Sequence, residues 1–298
     1  MRYHTIYKSK QGKAILHQHY DKYVDSLGVE VERRYVPTRF GRTHVLQLGP
    51  EGAKPLMILQ GGNCVNPMTL SWFAPLFRQY RIYAPDTIGH PGYSDETRLS
   101  GKDHSLAVWL SDVMVELGLT RSAWIGPSFG AGMVLRLAAH MPEKIACAAL
   151  IAPAGIRLGD KSAMIRQILL PLIRYRLGGN PKHLNRIAEA MSLGGMKETD
   201  KSIIGHIFRY VKLEQDMPKL SELEELTGYR APTLLIAGNR DIFFPGDRVI
   251  SRAKDVIPNL MEAKLLDMGH FPSDEMLRLM NKEIQVFLEQ TYLLNEDK

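Results

Sequence analysis

The sequence predicts an α/β fold with a mostly parallel sheet covered by helices on both faces. Short apolar runs of strand length alternate with segments whose apolar residues recur at helical spacing. Residues 55–59 and 145–152 are apolar almost throughout, which is typical of strands buried on both faces. Because strands and helices alternate along the chain, we expect one mostly parallel, eight-stranded sheet.

The elements follow in order. Residues 1–28 are interpreted as a helical extension, since 11–27 carry one apolar face; the helix either packs on the body or reaches a partner subunit. Strands are predicted at residues 29–37, 42–48, 55–59, 81–86, 123–126, 145–152, 232–238 and 263–267. Helices are predicted at residues 69–80, 104–117, 129–140, 246–255 and 273–291.

Residues 156–230 interrupt this alternation. They show helical patterns and glycine-rich breaks but no strand pattern, so we expect a helical cap inserted after the sixth strand. The core then comprises residues 29–155 and 231–298. The apolar residues of the cap either line a pocket or pack the cap on the core: Met164, Ile165, Ile168, Leu169, Leu172, Ile173 and Leu177. Its arginines either bind an acidic substrate or lie on solvated helix faces: Arg157, Arg166, Arg174 and Arg176.

Composition excludes several classes of protein. The 298 residues are 45% hydrophobic and 23% charged, as in ordinary globular proteins. The net charge of +6 comes without a long Lys/Arg block, which argues against nucleic acid as a partner. Cys64 and Cys147 are too few for a disulfide framework or a zinc site. With no apolar run of signal-peptide or membrane-span length, we expect a cytoplasmic protein without a membrane partner, either monomer or homodimer.

The most informative segment is Gly126-Pro127-Ser128-Phe129-Gly130, where an apolar run meets a helical pattern. This Gly-x-Ser-x-Gly arrangement predicts a sharp turn that holds the Ser128 hydroxyl above the N-terminus of the next helix. Glycine is favoured at both ends because backbone approaches backbone closely there. On its own the pentapeptide also fits a structural turn; a nucleophile needs a base and an acid later in the chain.

Both partners occur where parallel sheets place active residues, on loops after the carboxyl ends of strands. Asp241 follows the strand at 232–238, and His270 follows the strand at 263–267. A helix-capping aspartate and a solvated histidine are the alternative interpretations. Asp267, which is close to His270, is expected to end its strand and bond to backbone. Ser128, Asp241 and His270 are therefore the predicted nucleophile, acid and base.

A serine nucleophile also needs donors for the oxyanion that forms on a substrate carbonyl. The N–H of Phe129 directly follows the nucleophile, and the N–H of Gly62 lies on the loop after the third strand. Asn63 is a further candidate on that loop, and Asn63 and Phe243 are the predicted substrate-binding residues. A simple tight turn is the alternative for Gly61 and Gly62. The scheme requires neither a metal nor an organic cofactor.

From Val29 onward the chain resembles α/β-hydrolase-fold enzymes and is similar to bacterial serine carboxylesterases. The resemblance includes the chain order Ser128, Asp241, His270, which is the order of that family. It also includes the loop Asp86-Thr87-Ile88-Gly89-His90-Pro91-Gly92-Tyr93-Ser94 after the fourth strand, and the segment His140-Met141-Pro142-Glu143-Lys144-Ile145 leading into the sixth. It implies the α/β-hydrolase fold and hydrolysis of a carboxylic ester through an acyl-enzyme.

The chain departs from the family at the oxyanion loop, where Gln60-Gly61 replaces the usual His-Gly. We expect the Gln60 amide to orient the loop in place of the histidine, since it both donates and accepts. A carbon–carbon bond hydrolase or a cofactor-free perhydrolase would use the same triad, and a ligand sensor without turnover would keep it. Serine rather than aspartate at position 128 disfavours dehalogenase and epoxide hydrolase chemistry.

Overall fold

The strands form a single sheet, shown by a computed structural model that describes residues 5–294. They are β1 (Val31–Thr38), β2 (Gly41–Leu48), β3 (Pro55–Ile58), β4 (Arg81–Pro85), β5 (Ser122–Pro127), β6 (Ile145–Ile151), β7 (Thr233–Gly238) and β8 (Leu260–Leu266). The order across the sheet is β1-β2-β4-β3-β5-β6-β7-β8. β2 pairs antiparallel with β1 and with β4, and the other neighbours are parallel. The predicted eight-stranded, mostly parallel sheet is confirmed.

The central strands are apolar throughout because both of their faces are covered. On β5, Ile125 belongs to one apolar cluster and its neighbour Trp124 to the cluster on the opposite face. Leu234 and Leu235 of β7 divide in the same way. Successive side chains of a strand point to opposite faces, so a strand between two helical layers needs apolar residues at every position.

Ten α-helices lie among the described residues. They are α1 (Lys10–Asp25), α2 (Asn66–Leu70), α3 (Ser105–Glu116), α4 (Phe129–His140), α5 (Lys161–Met164), α6 (Leu170–Gly178), α7 (Pro181–Ser192), α8 (Glu198–Tyr210), α9 (Gly246–Val256) and α10 (Asp274–Leu288). Side chains of α3, α4 and α9 pack on one face of the sheet, and those of α1 and α10 join the cluster on the other. The sheet is therefore doubly covered, as predicted.

The helix predicted at residues 69–80 is only partly correct. α2 begins earlier and gives way to a 3₁₀ helix, Ser71–Leu76, which contains Pro75. Proline has no backbone N–H and its ring disfavours a continuous α-helix, so this segment cannot extend as one regular helix.

Helix α1 packs against its own chain. Its N-terminus is capped by Ser9, whose side chain accepts a hydrogen bond from the N–H of Gly12. Leu16 and Tyr20 are fully buried, and the Tyr20 hydroxyl donates to Oδ1 of Asp86 at 2.7 Å. A buried carboxylate needs such donors, so this contact ties the N-terminal helix to the loop after β4.

The segment between β6 and β7 contains α5 to α8. α5 continues through a π-helical turn, Ile165–Leu169, into α6, and Pro171 lies at the start of α6. Proline removes the N–H that an α-helix would use there, which accounts for the wider turn before it. Division of the chain into extension, core and cap stays a prediction. Within residues 5–294, none of the helices has both the length and the apolar character that a bilayer crossing demands.

Candidate active site

Ser128 lies at a strained turn between β5 and α4. Its φ is +52°, a region that residues other than glycine rarely adopt, and its N–H donates to the Ile151 carbonyl at 2.8 Å. A Cβ at Gly126 would lie 2.5 Å from the backbone nitrogen of Ala131, and one at Gly130 would lie 2.8 Å from the Gln60 carbonyl oxygen. Both glycines of the Gly-x-Ser-x-Gly segment are thus required by backbone crowding.

The structure brings Ser128, His270 and Asp241 into one hydrogen-bonded series. Nε2 of His270 is 3.0 Å from the Ser128 Oγ, and Nδ1 is 2.8 Å from Oδ2 of Asp241. Residues 128, 241 and 270 come from the ends of β5, β7 and β8, which lie on the same edge of the sheet. The series has the geometry of a nucleophile, a base and an orienting carboxylate.

The surroundings of Asp241 and His270 fix both side chains. Asp241 is 3% exposed, and its Oδ1 accepts from the N–H groups of Phe243 at 2.8 Å and Phe244 at 3.2 Å. The rings of Phe243 and Phe244 meet the His270 ring edge to face, with centroids 4.9 and 5.5 Å away. Because one carboxylate oxygen is held by backbone donors, the other is directed at the imidazole.

Asp267 lies outside this arrangement. Both of its carboxylate oxygens bind the guanidinium of Arg240, at 2.9 and 3.1 Å, on the exposed surface. The expectation that it bonds to backbone is wrong, because a free guanidinium on the neighbouring loop offers it a bidentate partner.

The two residues predicted to supply oxyanion donors, Gly62 and Phe129, lie next to each other. A Cβ on Gly62 would lie only 3.1 Å from the Cβ of Phe129, so the loop after β3 runs directly beside the start of α4. For residues 5–294 the structure gives neither N–H a protein acceptor. The N–H of Phe129 lies at the N-terminus of α4, where the helix dipole favours a developing negative charge.

Gln60 fixes the predicted oxyanion loop through its side-chain amide. Its Nε2 donates to the Cys64 carbonyl at 3.1 Å, and its Oε1 accepts from the Thr87 N–H at 2.9 Å. The amide thus donates and accepts, as expected for a residue that replaces the family's histidine. It joins the loop after β3 to the loop after β4 in a fully buried position.

His90 is a neighbour that the sequence did not single out. It is 3% exposed, and its ring lies 4.8 Å from the ring of Phe129, the residue after Ser128. Burial lowers the pKa of His90 to about 3, so the imidazole is neutral at ordinary pH. The signal was its place in the loop after β4, which the resemblance pointed out without assigning it a role.

A largely apolar cavity of about 210 Å³ opens above Ser128. Asn63 and Phe243 line it, as do residues of the cap that the sequence did not identify: Met191, Ile204, Phe208, Leu213 and Met217. No Lys, Arg, Asp or Glu is among the described residues that line it. Direct substrate contact by Asn63 and Phe243 stays a prediction.

The seven cap residues suggested as a pocket wall divide into three groups, and one of them, Met164, is half-buried but does not line the cavity. Ile168 and Leu172 line the cavity. The exposed members are Ile165, Leu169, Ile173 and Leu177, so neither a place in the pocket nor packing on the core is correct for them. The four cap arginines are exposed and do not line the cavity. Sequence spacing identified the helix but not which of its apolar sides faces the core.

Cys64 lines the cavity as an inert thiol. Its Sγ donates to the Gly61 carbonyl at 2.9 Å, and burial raises its pKa to about 12. Because the thiolate is the reactive form, this cysteine is not a second nucleophile at neutral pH.

Comparison with known proteins places this chain in a family. Residues 54–276 match the family model described as alpha/beta hydrolase fold. The chain is 28% identical over 292 residues to the uncharacterized carboxylesterase nap of Bacillus subtilis (91% of this chain, 92% of the relative). It is 25% identical to the carboxylesterase YbfK of Bacillus subtilis (91% and 93%). The crystal structure of naproxen esterase from Bacillus subtilis has the same fold, with a TM-score of 0.79 at 24% identity (97% and 100%). The chain therefore belongs to the alpha/beta hydrolase fold family.

Proposed function

We propose that this protein is a serine carboxylesterase that cleaves a carboxylic ester through an acyl-enzyme. The proposal depends above all on one observation, the hydrogen-bonded series of Ser128, His270 and Asp241 beneath an apolar cavity. The two Bacillus subtilis relatives that bear the name carboxylesterase support it.

The proton moves along the series. For Nε2 of His270 to accept the proton of Ser128, Nδ1 must carry the hydrogen that it donates to Asp241. As the serine oxygen attacks the ester carbon, the imidazole takes its proton and Asp241 stabilises the imidazolium. His270 then returns the proton to the leaving alcohol. Water, activated by the same imidazole, releases the acid.

The oxyanion is stabilised by donors that are in place before the reaction. The N–H groups of Gly62 and Phe129 are proposed to bind the carbonyl oxygen as it becomes negative. Preorganised donors of this kind contribute about 10²-fold to 10³-fold each in rate. His90 supports the arrangement as a positioning residue, because its neutral ring packs against Phe129.

The test is hydrolysis of p-nitrophenyl acetate and butyrate by the purified protein and by Ser128→Ala. We expect turnover by the wild type and a loss of about 10⁴-fold or more in kcat for the variant, because the nucleophile is gone. Thermal unfolding of both proteins controls for folding. Ester turnover that survives the substitution, or a wild type that turns over neither ester, contradicts the proposal; the second result favours the non-catalytic alternative.

A further inference from the structure

The outward side of the cap helix is apolar and uncovered. We define the cap-helix face as Ile165, Leu169, Leu170, Ile173 and Leu177, which are 42% to 85% exposed. Four of these residues recur every fourth position, so they lie along one side of the helix that runs through α5, the π-helical turn and α6. Single exposed leucines are ordinary, but five aliphatic side chains together indicate a contact surface.

The charge around this face is mainly positive, although Asp160 caps the N-terminus of α5. Residues 161–188 contain six cations, all exposed, and no Asp or Glu: Lys161, Arg166, Arg174, Arg176, Lys182 and Arg186. An apolar side flanked by Lys and Arg is typical of helices that lie in the interface of an anionic bilayer. Each cation near such a surface adds to the electrostatic attraction.

The opposite side of the same helix lines the candidate active site. Ile168 and Leu172 face the cavity above Ser128, while Leu169 and Ile173, one position further along the chain in each case, face outward. The uncovered face therefore lies directly over an apolar cavity. Molecules with long apolar groups collect at a lipid surface. Docking at this position would therefore bring the cavity close to such molecules.

We propose that the cap-helix face docks the protein on an anionic lipid surface. A second copy of this chain is a poor occupant, because a two-fold contact would bring the six cations against the same six. The proposal runs against the expectation, drawn from the sequence alone and not tested since, that the protein has no membrane partner. Docking is measured by binding, so it can fail or succeed independently of esterase activity.

The experiment is sedimentation with vesicles of phosphatidylcholine alone or mixed with phosphatidylglycerol. The test variant combines Leu169→Ser, Ile173→Ser and Leu177→Ser, none of which lines the cavity. A matched control combines Val115→Ser, Met261→Ser and Leu279→Ser, which remove exposed apolar side chains elsewhere. Thermal unfolding and turnover of a short soluble ester verify that both variants are folded.

We expect the wild type and the matched control to sediment with the mixed vesicles and not with phosphatidylcholine alone. The test variant should bind the mixed vesicles at least about tenfold more weakly, because three apolar side chains no longer enter the interface. Added salt should weaken wild-type binding. The proposal is overturned if the wild type does not bind the mixed vesicles, because an acidic protein would then be the better occupant of the face. It is overturned equally if the test variant binds like the wild type, or if ultracentrifugation shows a dimer that the variant dissociates.

Discussion

The side-chain amide of Asn63 forms two hydrogen bonds with the backbone of Glu214. Nδ2 donates to the Glu214 carbonyl at 3.1 Å, and Oδ1 accepts from its N–H at 2.7 Å. Asn63 directly follows Gly62 on the oxyanion loop, and Glu214 lies between Leu213 and Met217, which line the cavity. The pair thus links a proposed oxyanion donor to the wall that the cap contributes.

We expect Asn63→Gly to lower kcat about 10-fold to 100-fold, because a displaced oxyanion donor loses much of its effect. Glycine suits the φ of +51° at this position, so the substitution removes the two hydrogen bonds without adding backbone strain. The measurement is steady-state hydrolysis of p-nitrophenyl butyrate with thermal unfolding as the control. If only KM rises while kcat is unchanged, Asn63 contacts substrate instead of positioning the loop.

Crowding at the nucleophile turn gives a second prediction. Gly126→Ala should reduce the free energy of unfolding by about 1–3 kcal/mol and lower kcat, since its Cβ would displace the backbone of α4 that carries Ser128. Gly178→Ala is the matched control, because nothing lies within 4 Å of its added Cβ. The free energy of unfolding of that control should be unchanged or higher by about 0.5–1 kcal/mol. Equal melting temperatures for the two variants, measured by circular dichroism, would argue against this account.

Much of the core could be predicted because its strands and turns follow from short sequence patterns. Apolar runs identified the buried strands, and strand ends placed Ser128, Asp241 and His270 on loops that a parallel sheet brings together. The φ of Ser128 follows from the same turn, which two flanking glycines make possible. These features depend on periodicity and on residue types with few alternative uses.

The cap was less predictable, because its helices carry apolar residues on two sides. Ile168 and Leu169 are adjacent and equally apolar, yet one lines the cavity and the other is exposed. The choice between them depends on tertiary packing and on the π-helical turn before Pro171, which shifts the helix register. Asn63 and Glu214 are 151 residues apart in the chain, and no local sequence pattern predicts their pairing.

The cavity lining predicts selection against charged acyl groups. An ionised carboxylate inside the pocket would lose its hydration without gaining a cationic partner, at a cost of several kcal/mol. We expect kcat/KM for p-nitrophenyl hemisuccinate to be at least about 100-fold below that for the butyrate ester. Ile168→Lys, which introduces a cation at the lining, should narrow this difference. Equal rates for both esters in the wild type would show that the acyl group does not enter the cavity.

His90 makes the stability of the protein depend on pH. Burial, with a smaller contribution from the cation of Arg98, lowers its pKa from 6.5 to about 3 in the folded state. Below pH 6.5 the unfolded chain therefore gains a proton that the folded chain does not bind. The free energy of unfolding falls by up to about 1.4 kcal/mol for each pH unit between about 6.5 and 3, and above pH 6.5 His90 adds no slope.

The comparison that isolates this effect is wild type against His90→Gln, which keeps a polar side chain but cannot titrate. All the other histidines are present in both proteins. The difference between the two proteins in how the free energy of unfolding changes with pH therefore comes from residue 90. Between pH 5 and 6 we expect the wild type to lose about 1 kcal/mol more than the variant in urea unfolding. Parallel pH profiles would mean that His90 is protonated in the folded protein, and the neutral ring assigned to it beside Phe129 would then be wrong.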